Sequence, residues 1–457
     1  MIYFTPEFGI ILFVFLILYW WVLRFYGNRI QNFSLLIFNY IILLWINPYF
    51  AIVVFIYTIT IYLMSLLLYK YDTKIMLLLC IALSILHLAF FKYFTDIKDS
   101  FDTFFTWFGL DVVDINLLFP LGISFYTFTS ITYLCEVYKT RKYENFSNLA
   151  MFLSFFPTFI SGPIMRSSYF FPQLHAKRVF RHADLIFVLI LFGLIKKVFF
   201  ANYLQVYSDS ILQNPTEQSP LALLLGIYAY TVRLYCDFSG YVDLVSAFAL
   251  MLGFSLPKNF NMPYMAHNIR DFWSRWHITL SQFIRDYIYI PLGGNQKGFF
   301  LTQIFVLISF TLSGIWHGNT INFLIWGLLH GIGTIIFNLF RLLNMNIKVP
   351  YISSIITFHF VAFAWIFFYY SQFDEALLYV TSFYSSQNPI KNIEIVWFLF
   401  ACILFFIYPF FYNLERKCAF ILKKIPILLQ PIAISLCAII IIGFSPNGIP
   451  NFIYAGF

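Results

Sequence analysis

HNIRDFWSRWHITLSQFIRDYIYIPLGGNQKG (residues 267–298), followed after an apolar run by LSGIWHGNTINFLIWGLLH (residues 312–330), decides how this chain is read. Between His267 and His330 lie four of the eight histidines, together with Arg270, Arg275, Arg285, Asp271 and Asp286. Outward from that stretch the 457 residues are 61% hydrophobic and 11% charged, too little charge to cover a water-soluble globule of this size. Apolar blocks recur at lengths near that of a helix crossing the hydrocarbon core, about 20 residues. The expected fold is therefore an all-α polytopic membrane protein. Alternating ten-residue strands, the pattern of a β-barrel, are absent from the sequence.

Candidate spans cover residues 8–23, 31–47, 50–69, 75–94, 115–137, 183–205, 219–236, 299–317, 320–340, 351–370, 396–414 and 428–446. The first lacks a basic region ahead of it and a cleavage site after it, and is expected to be retained. Two further blocks break the rhythm. Residues 148–165 lie between basic segments and contain Pro157 and Ser161-Gly162-Pro163, which predicts a broken or re-entrant helix. Residues 241–256 are short and are followed by Lys258, Arg270, Arg275 and Arg285, which predicts a second non-spanning element. The count is about 11 or 12 crossings plus re-entrant pieces in one domain, residues 1–457. Basic loops (Arg24 and Arg29; Lys70 and Lys74; Lys139, Arg141 and Lys142) alternate with neutral or acidic ones, among them 96–114 with Asp111 and Asp114. Arg341 and Lys348 mark a later cytoplasmic return. This distribution puts the N-terminus outside and explains the net charge of +8 without nucleic acid. Six scattered cysteines with no CxxC read as buried free thiols.

Ionisable groups are costly in lipid, so the opening stretch is the candidate functional site. Within 270–287, Phe272, Trp276, Leu280, Phe283 and Tyr287 recur at helical spacing, while Ser274, His277, Ser281 and Arg285 fall on another face. Two readings are open: an interfacial helix with a solvated charged face, or a helix lining a central polar cavity or tunnel. Asp271 and Arg275, four apart, are expected to pair. Pro291 to Asn295 should end the helix in a turn.

His317 lies between two apolar spans, flanked by Gly314 and Gly318. A neutral imidazole there can accept a proton near pH 7; a core histidine donating to a carbonyl fits the same position. His330 is 13 residues on, about 20 Å along a continuous helix, so the two cannot share an atom unless the helix breaks between them. Asp237 and Asp243 in CDFSGYVD are expected to bond the 270–285 helix or to cap a broken one. No HExxH, GxSxG, P-loop or GxGxxG is present, which leaves metal-dependent and nucleotide-hydrolysing readings without support.

The pieces CDFSGYVDLV (236–245), NFNMPY (259–264), DFWSRWHITLS (271–281), RDYIYIPLGGN (285–295), GIWHG (314–318) and WGLLHG (326–331), in that order, resemble the membrane-bound O-acyltransferase family. The upstream PLGISFYTF and SGPI segments are also similar. The nearest branch looks like the bacterial one that O-acetylates exported polysaccharides such as alginate and peptidoglycan. D-alanyl transfer to teichoic acid is the alternative, and Asn319 departs from the alanine common in the polysaccharide group. The resemblance implies catalytic roles for His317 and, as a second histidine, His277, and supporting roles for Trp316, Arg275, Trp276, Asp237, Asn295 and His330. It implies no bound cofactor or metal, a cytoplasmic thioester donor such as acetyl-CoA or an acyl carrier, and a periplasmic acetyltransferase partner. The implied location is the inner membrane, in many passes. Two rivals are a transporter, which would predict inverted repeats that are absent here, and a scaffold that only docks an acetyltransferase.

Overall fold

The computed structural model describes residues 2–108, 117–345, 349–426 and 428–444; Asp111, Asp114, Lys348 and the last residues of the expected 428–446 span lie outside them. Among the described residues every regular element is a helix. Nine helices among these residues are long and apolar enough to cross a membrane. Three other expected crossings fall on shorter or interrupted helices. One is α6 (Ile123–Thr140), rich in Ser and Thr; another is α10 (Ala183–Leu194) with α11 (Ala201–Leu212), joined by a wider π-type turn; the third is α22 (Gln430–Gly443).

By contacts the chain divides into two compact units. The first comprises Met1–Arg181 and Met251–Ser255. It holds α1 (Pro6–Ile17, continued by irregular turns to Tyr26), α2 (Asn28–Ile46), α3 (Pro48–Tyr71), α4 (Lys74–Lys92) and α5 (Phe94–Trp107), followed by α6. The expected break then appears. Helix α7 (Phe146–Ser154) stops at Phe155, one turn forms α8 (Phe156–Phe159), and α9 (Ser167–His175) begins only after Ser161-Gly162-Pro163. A broken helix strands backbone groups, and these need protein partners at membrane depth. The Phe156 amide donates to Asn39 Oδ1 of α2 at 3.3 Å.

The second unit comprises His182–Leu250 and Leu256–Phe457 and holds the candidate site. Its long member is α12 (Pro220–Met251), with 72% of its most apolar window buried, against 6% in the span Asn392–Phe411 that contains α20 (Asn392–Ile407). The exposed face of that span carries Trp397, Leu399, Phe400 and Ile403, which suits lipid rather than water. Helix α12 corrects one expectation. Residues 241–251 are not a separate non-spanning element but the continuation of a 32-residue helix through CDFSGYVD. At about 1.5 Å per residue it is about 48 Å long, more than a bilayer core. The charged residues along it are satisfied laterally. Lys197 donates to Asp237 and Lys196 to Asp243 (2.7 Å), while Arg233 donates to Asp209 of α11 (2.9 Å). Asp237 and Asp243 therefore lie within a continuous helix and pair sideways with lysines rather than capping a break in it.

After α12 come α13 (Ile269–Arg275), α14 (Ile278–Ile284), a π-type turn and α15 (Ile290–Leu292). Then follow the hairpin α16 (Phe299–His317) and α17 (Ile321–Leu342), α18 (Pro350–Tyr369), α19 (Phe373–Ser385), α20 and α21 (Leu414–Lys424). Helix α21 buries Ala419 and Leu422 against Val188 of α10 and leaves Arg416, Lys417, Lys423 and Lys424 exposed.

Candidate active site

The α16–α17 hairpin sets the position of His317. A Cβ on Gly314 would lie 2.3 Å from the Phe323 carbonyl oxygen, and one on Gly327 would lie 2.5 Å from that of Phe310. Both values are below any tolerable contact, so only glycine lets these two backbones meet. Helix α16 ends on His317 itself, and Gly318 turns the chain with extended backbone angles. The imidazole is 3% exposed. Its ring centroid lies 4.6 Å from Trp316, 5.0 Å from Trp326 (edge-on, 87°) and 5.1 Å from Phe368. The negative end of a helix dipole tolerates positive charge, and here a histidine occupies that end.

His330 is buried on α17, and its Nδ1 accepts from Trp273 Nε1 at 3.3 Å. The helix does break between the two histidines, but the space between them is taken by Trp326, whose ring is 4.9 Å from His330 and 5.0 Å from His317. Trp365 of α18 stacks on Trp326 at 5.6 Å and meets Trp276 at 5.3 Å. A continuous aromatic pile therefore runs His317, Trp326, Trp365, Trp276. Trp365 carried no signal in the sequence: an indole in an apolar block looks like any lipid-facing ring.

The stretch 270–287 is not one amphipathic helix. It breaks at Trp276-His277, where His277 has φ +41° and ψ +55°. The cause is the NFNMPY segment. Asn259 Oδ1 pairs with His277 Nδ1 (3.2 Å) and accepts from the Thr279 amide (3.2 Å) and hydroxyl (2.9 Å), while the Asn259 carbonyl accepts from the Ile278 amide (2.9 Å). Asn261 donates to the Arg275 carbonyl at 2.9 Å. These bonds hold the chain in the left-handed turn and bury His277, 1% exposed, with Phe238 edge-on at 4.8 Å. His277 thus leaves the polar face that helical spacing assigned to it. Burial pushes its pKa down to about 3, so the ring is neutral at physiological pH.

The expected Asp271–Arg275 pair is present, with Nε donating to Oδ1 at 2.7 Å. Burial raises the Asp271 carboxyl, but bonds from Arg275 and the His267 amide outweigh it and hold the group below its ordinary range. Trp276 is buried among Phe260, Tyr264 and Phe272. Trp316 is half-buried beside His317. Asp237 is committed to Lys197. Asn295 lies exposed in the turn before α16, where the Gly294 carbonyl accepts from Thr302, about 22 Å along the helix axis from His317, so the two do not share a site. Among the described residues no group of three or more His, Cys, Asp or Glu could hold a metal ion.

Residues 8–374 match the model of the membrane-bound O-acyltransferase family. The chain is similar to the probable alginate O-acetylases of Pseudomonas putida (41% identical over 56% of this chain and 53% of that one) and Pseudomonas aeruginosa (35% over 79% and 71%). It is also similar to the peptidoglycan O-acetyltransferase of Helicobacter pylori, at 35% over 66% of this chain and 63% of that one. A lower identity, 31% over 55% of this chain and 69% of that one, relates it to the teichoic acid D-alanyltransferase of Bacillus subtilis. The matches to the O-acetylating relatives thus span from about half to about seven-tenths of their length.

Proposed function

The chain belongs to the membrane-bound O-acyltransferase family, and from that premise we propose that it moves an acetyl group from a cytoplasmic thioester donor across the membrane, for O-acetylation of an extracytoplasmic polysaccharide. The observation that carries this reading is His317, a buried histidine closing a helix inside an aromatic pile in an otherwise apolar protein. A thioester carbonyl is already electrophilic, so transfer needs chiefly a base near the attacking hydroxyl and donors for the developing oxyanion. His317 is the base. Its imidazole takes the hydroxyl proton as oxygen adds to the carbonyl carbon, and returns it to the departing thiolate.

His277 acts differently. A group with a pKa near 3 is a poor proton acceptor at neutral pH, so its role is to hold position as a neutral ring tied to Asn259. Trp276, Arg275 and Trp316 orient neighbouring groups, and His330 and Asp237 support the packing around them. The donor is acetyl-CoA or an acyl carrier; exposed basic residues such as Arg416, Lys417, Lys423 and Lys424 suit an anionic donor at the cytoplasmic face. The acceptor-side partner is a periplasmic acetyltransferase, and the setting is the inner membrane. Supporting the acetyl reading are the identities of 35–41% to O-acetylating relatives, against 31% to the D-alanyltransferase.

The test uses membranes carrying the full chain and its native glycan machinery, supplied with acetyl-CoA labelled in the acetyl group. Label should enter polysaccharide with the native chain and not with His317→Ala at equal protein level. Undiminished labelling in that variant would sink the assignment of His317. Labelling from activated D-alanine instead of acetyl-CoA would favour the D-alanyl reading.

A further inference from the structure

The pile between His317 and Trp276 contains more hydrogen-bond donors than acceptors. The indole N–H groups of Trp326 and Trp365 are fully buried, and neither meets an acceptor among the described residues. The hydroxyl of Ser313, 3% exposed and one helical turn before His317, also has no partner among the described residues. Buried donors are normally satisfied, and orphaned ones cluster where a ligand or reacting group supplies the acceptor. These are not scattered. The two indoles stack at 5.6 Å with 23° between their planes, and Phe368 touches both, at 5.4 Å from Trp326 and 5.0 Å from Trp365. Trp326 is in edge contact with His317 itself.

From this arrangement we infer that the Trp326 and Trp365 indole N–H groups, with the Ser313 hydroxyl, receive the carbonyl oxygen of the acyl thioester and hold the negative charge that develops on it. This deepens the acyl-transfer reading and rests on it. The step balances as follows. The acceptor hydroxyl oxygen bonds to the thioester carbon while its proton passes to His317. The carbonyl π pair moves onto oxygen, which the indole N–H groups hold. When the tetrahedral intermediate collapses, that pair reforms the carbonyl, the C–S bond breaks, and the thiolate leaves with the proton from His317. The products are an ester and a free thiol. Indoles suit this task in a membrane interior. They donate without carrying a charge, so they need no counter-ion, and their rings exclude the water that would weaken the interaction.

The same labelled acetyl-CoA assay tests the inference with Trp326→Phe and Trp365→Phe, which keep an aromatic ring and remove the donor. Each is expected to lower kcat on the order of 100-fold, as loss of one oxyanion donor does elsewhere. KM for acetyl-CoA should stay within about twofold and the midpoint of the pH–rate profile should not move, because an indole N–H does not titrate. Wild-type kcat in both variants would overturn the inference. So would a displaced pH midpoint, which would mean that the indoles act only by positioning His317. If either variant fails to accumulate, replacing the tryptophan by benzothienylalanine exchanges N–H for sulfur in a bicyclic ring of nearly the same shape, with the same expected outcomes. His317→Ala serves as the reference. Loss of transfer in it, with full activity in both donor variants, removes this inference alone, whereas retained transfer in it removes the acyl-transfer role of His317.

Discussion

Replacing Lys197 alone should harm this protein more than replacing Lys197 and Asp237 together. The two side chains are 0% and 3% exposed and form a direct ion pair between the π-type turn after α10 and the middle of α12. Removing one partner leaves a charge buried without its counter-ion, which costs about 3–5 kcal/mol, whereas exchanging both for apolar residues of similar volume is close to neutral. At about 1.4 kcal/mol per tenfold, the single variant loses two to three and a half decades in its folding equilibrium. The neighbouring Lys196–Asp243 pair provides an internal scale. Its side chains are each 14% exposed and Glu415 lies 3.6 Å from the same ammonium, so when Asp243 is removed a second carboxylate and some solvent remain to neutralise Lys196. Asp243→Leu should therefore cost less than Asp237→Leu. The assay is reversible unfolding of the detergent-solubilised full chain, for Lys197→Met, Asp237→Leu, the double variant and Asp243→Leu. The expected order of damage is Lys197→Met and Asp237→Leu worst, then Asp243→Leu, then the double variant. If the double variant lost the sum of the two singles, the argument that Asp237 exists to neutralise Lys197 would fail.

Other outcomes follow from the site. His277 has its pKa lowered to about 3 by burial, against about 6.5 when unfolded, so the unfolded chain binds its proton first. Its contribution should be whole above pH 6.5 and lost as pH falls toward 3; thermal midpoints measured between pH 4 and 8 should show that slope, and His277→Gln should flatten it. Asn259→Ala should cost about 1–3 kcal/mol, since it removes the acceptor shared by the buried Thr279 amide and hydroxyl, and chemical denaturation would measure it. Gly327→Leu should prevent the α16–α17 hairpin from closing on Phe310 and abolish both accumulation and transfer, read by immunoblot and labelling. Gly298→Ala, with no heavy atom near the added Cβ, meets only its φ of +85° and should cost about 1 kcal/mol, measured in the same unfolding assay.

Much of the candidate site's local geometry was legible before any fold was known, and the reason is chemical. A histidine with glycines around it in an apolar chain is conspicuous whatever it packs against, and His317 is at the end of its helix as the turn residues implied. The Asp271–Arg275 pair was equally legible, being one helical turn apart. Misreadings came where a distant segment overruled local periodicity. Helical spacing placed His277 on the polar face of 270–287, but Asn259, 18 residues away, takes its Nδ1 and breaks the helix there. After CDFSGYVD the apolar block is short and basic residues follow it, which reads locally as a separate element, and its two carboxylates have no partner within reach along the sequence. Their partners are lysines 40 and 47 residues away, so α12 runs straight through.

What the sequence by itself determined about this protein is the solvent it folds in and the apolar blocks that cross it. Both follow from the transfer free energy of each twenty-residue block, a sum over neighbours in the chain. Only the tertiary structure decided which buried charges neutralise one another and that Trp365 joins Trp326 beside His317. An ion pair or a ring stack is a property of two segments brought together, and neither segment carries the energy of the contact alone.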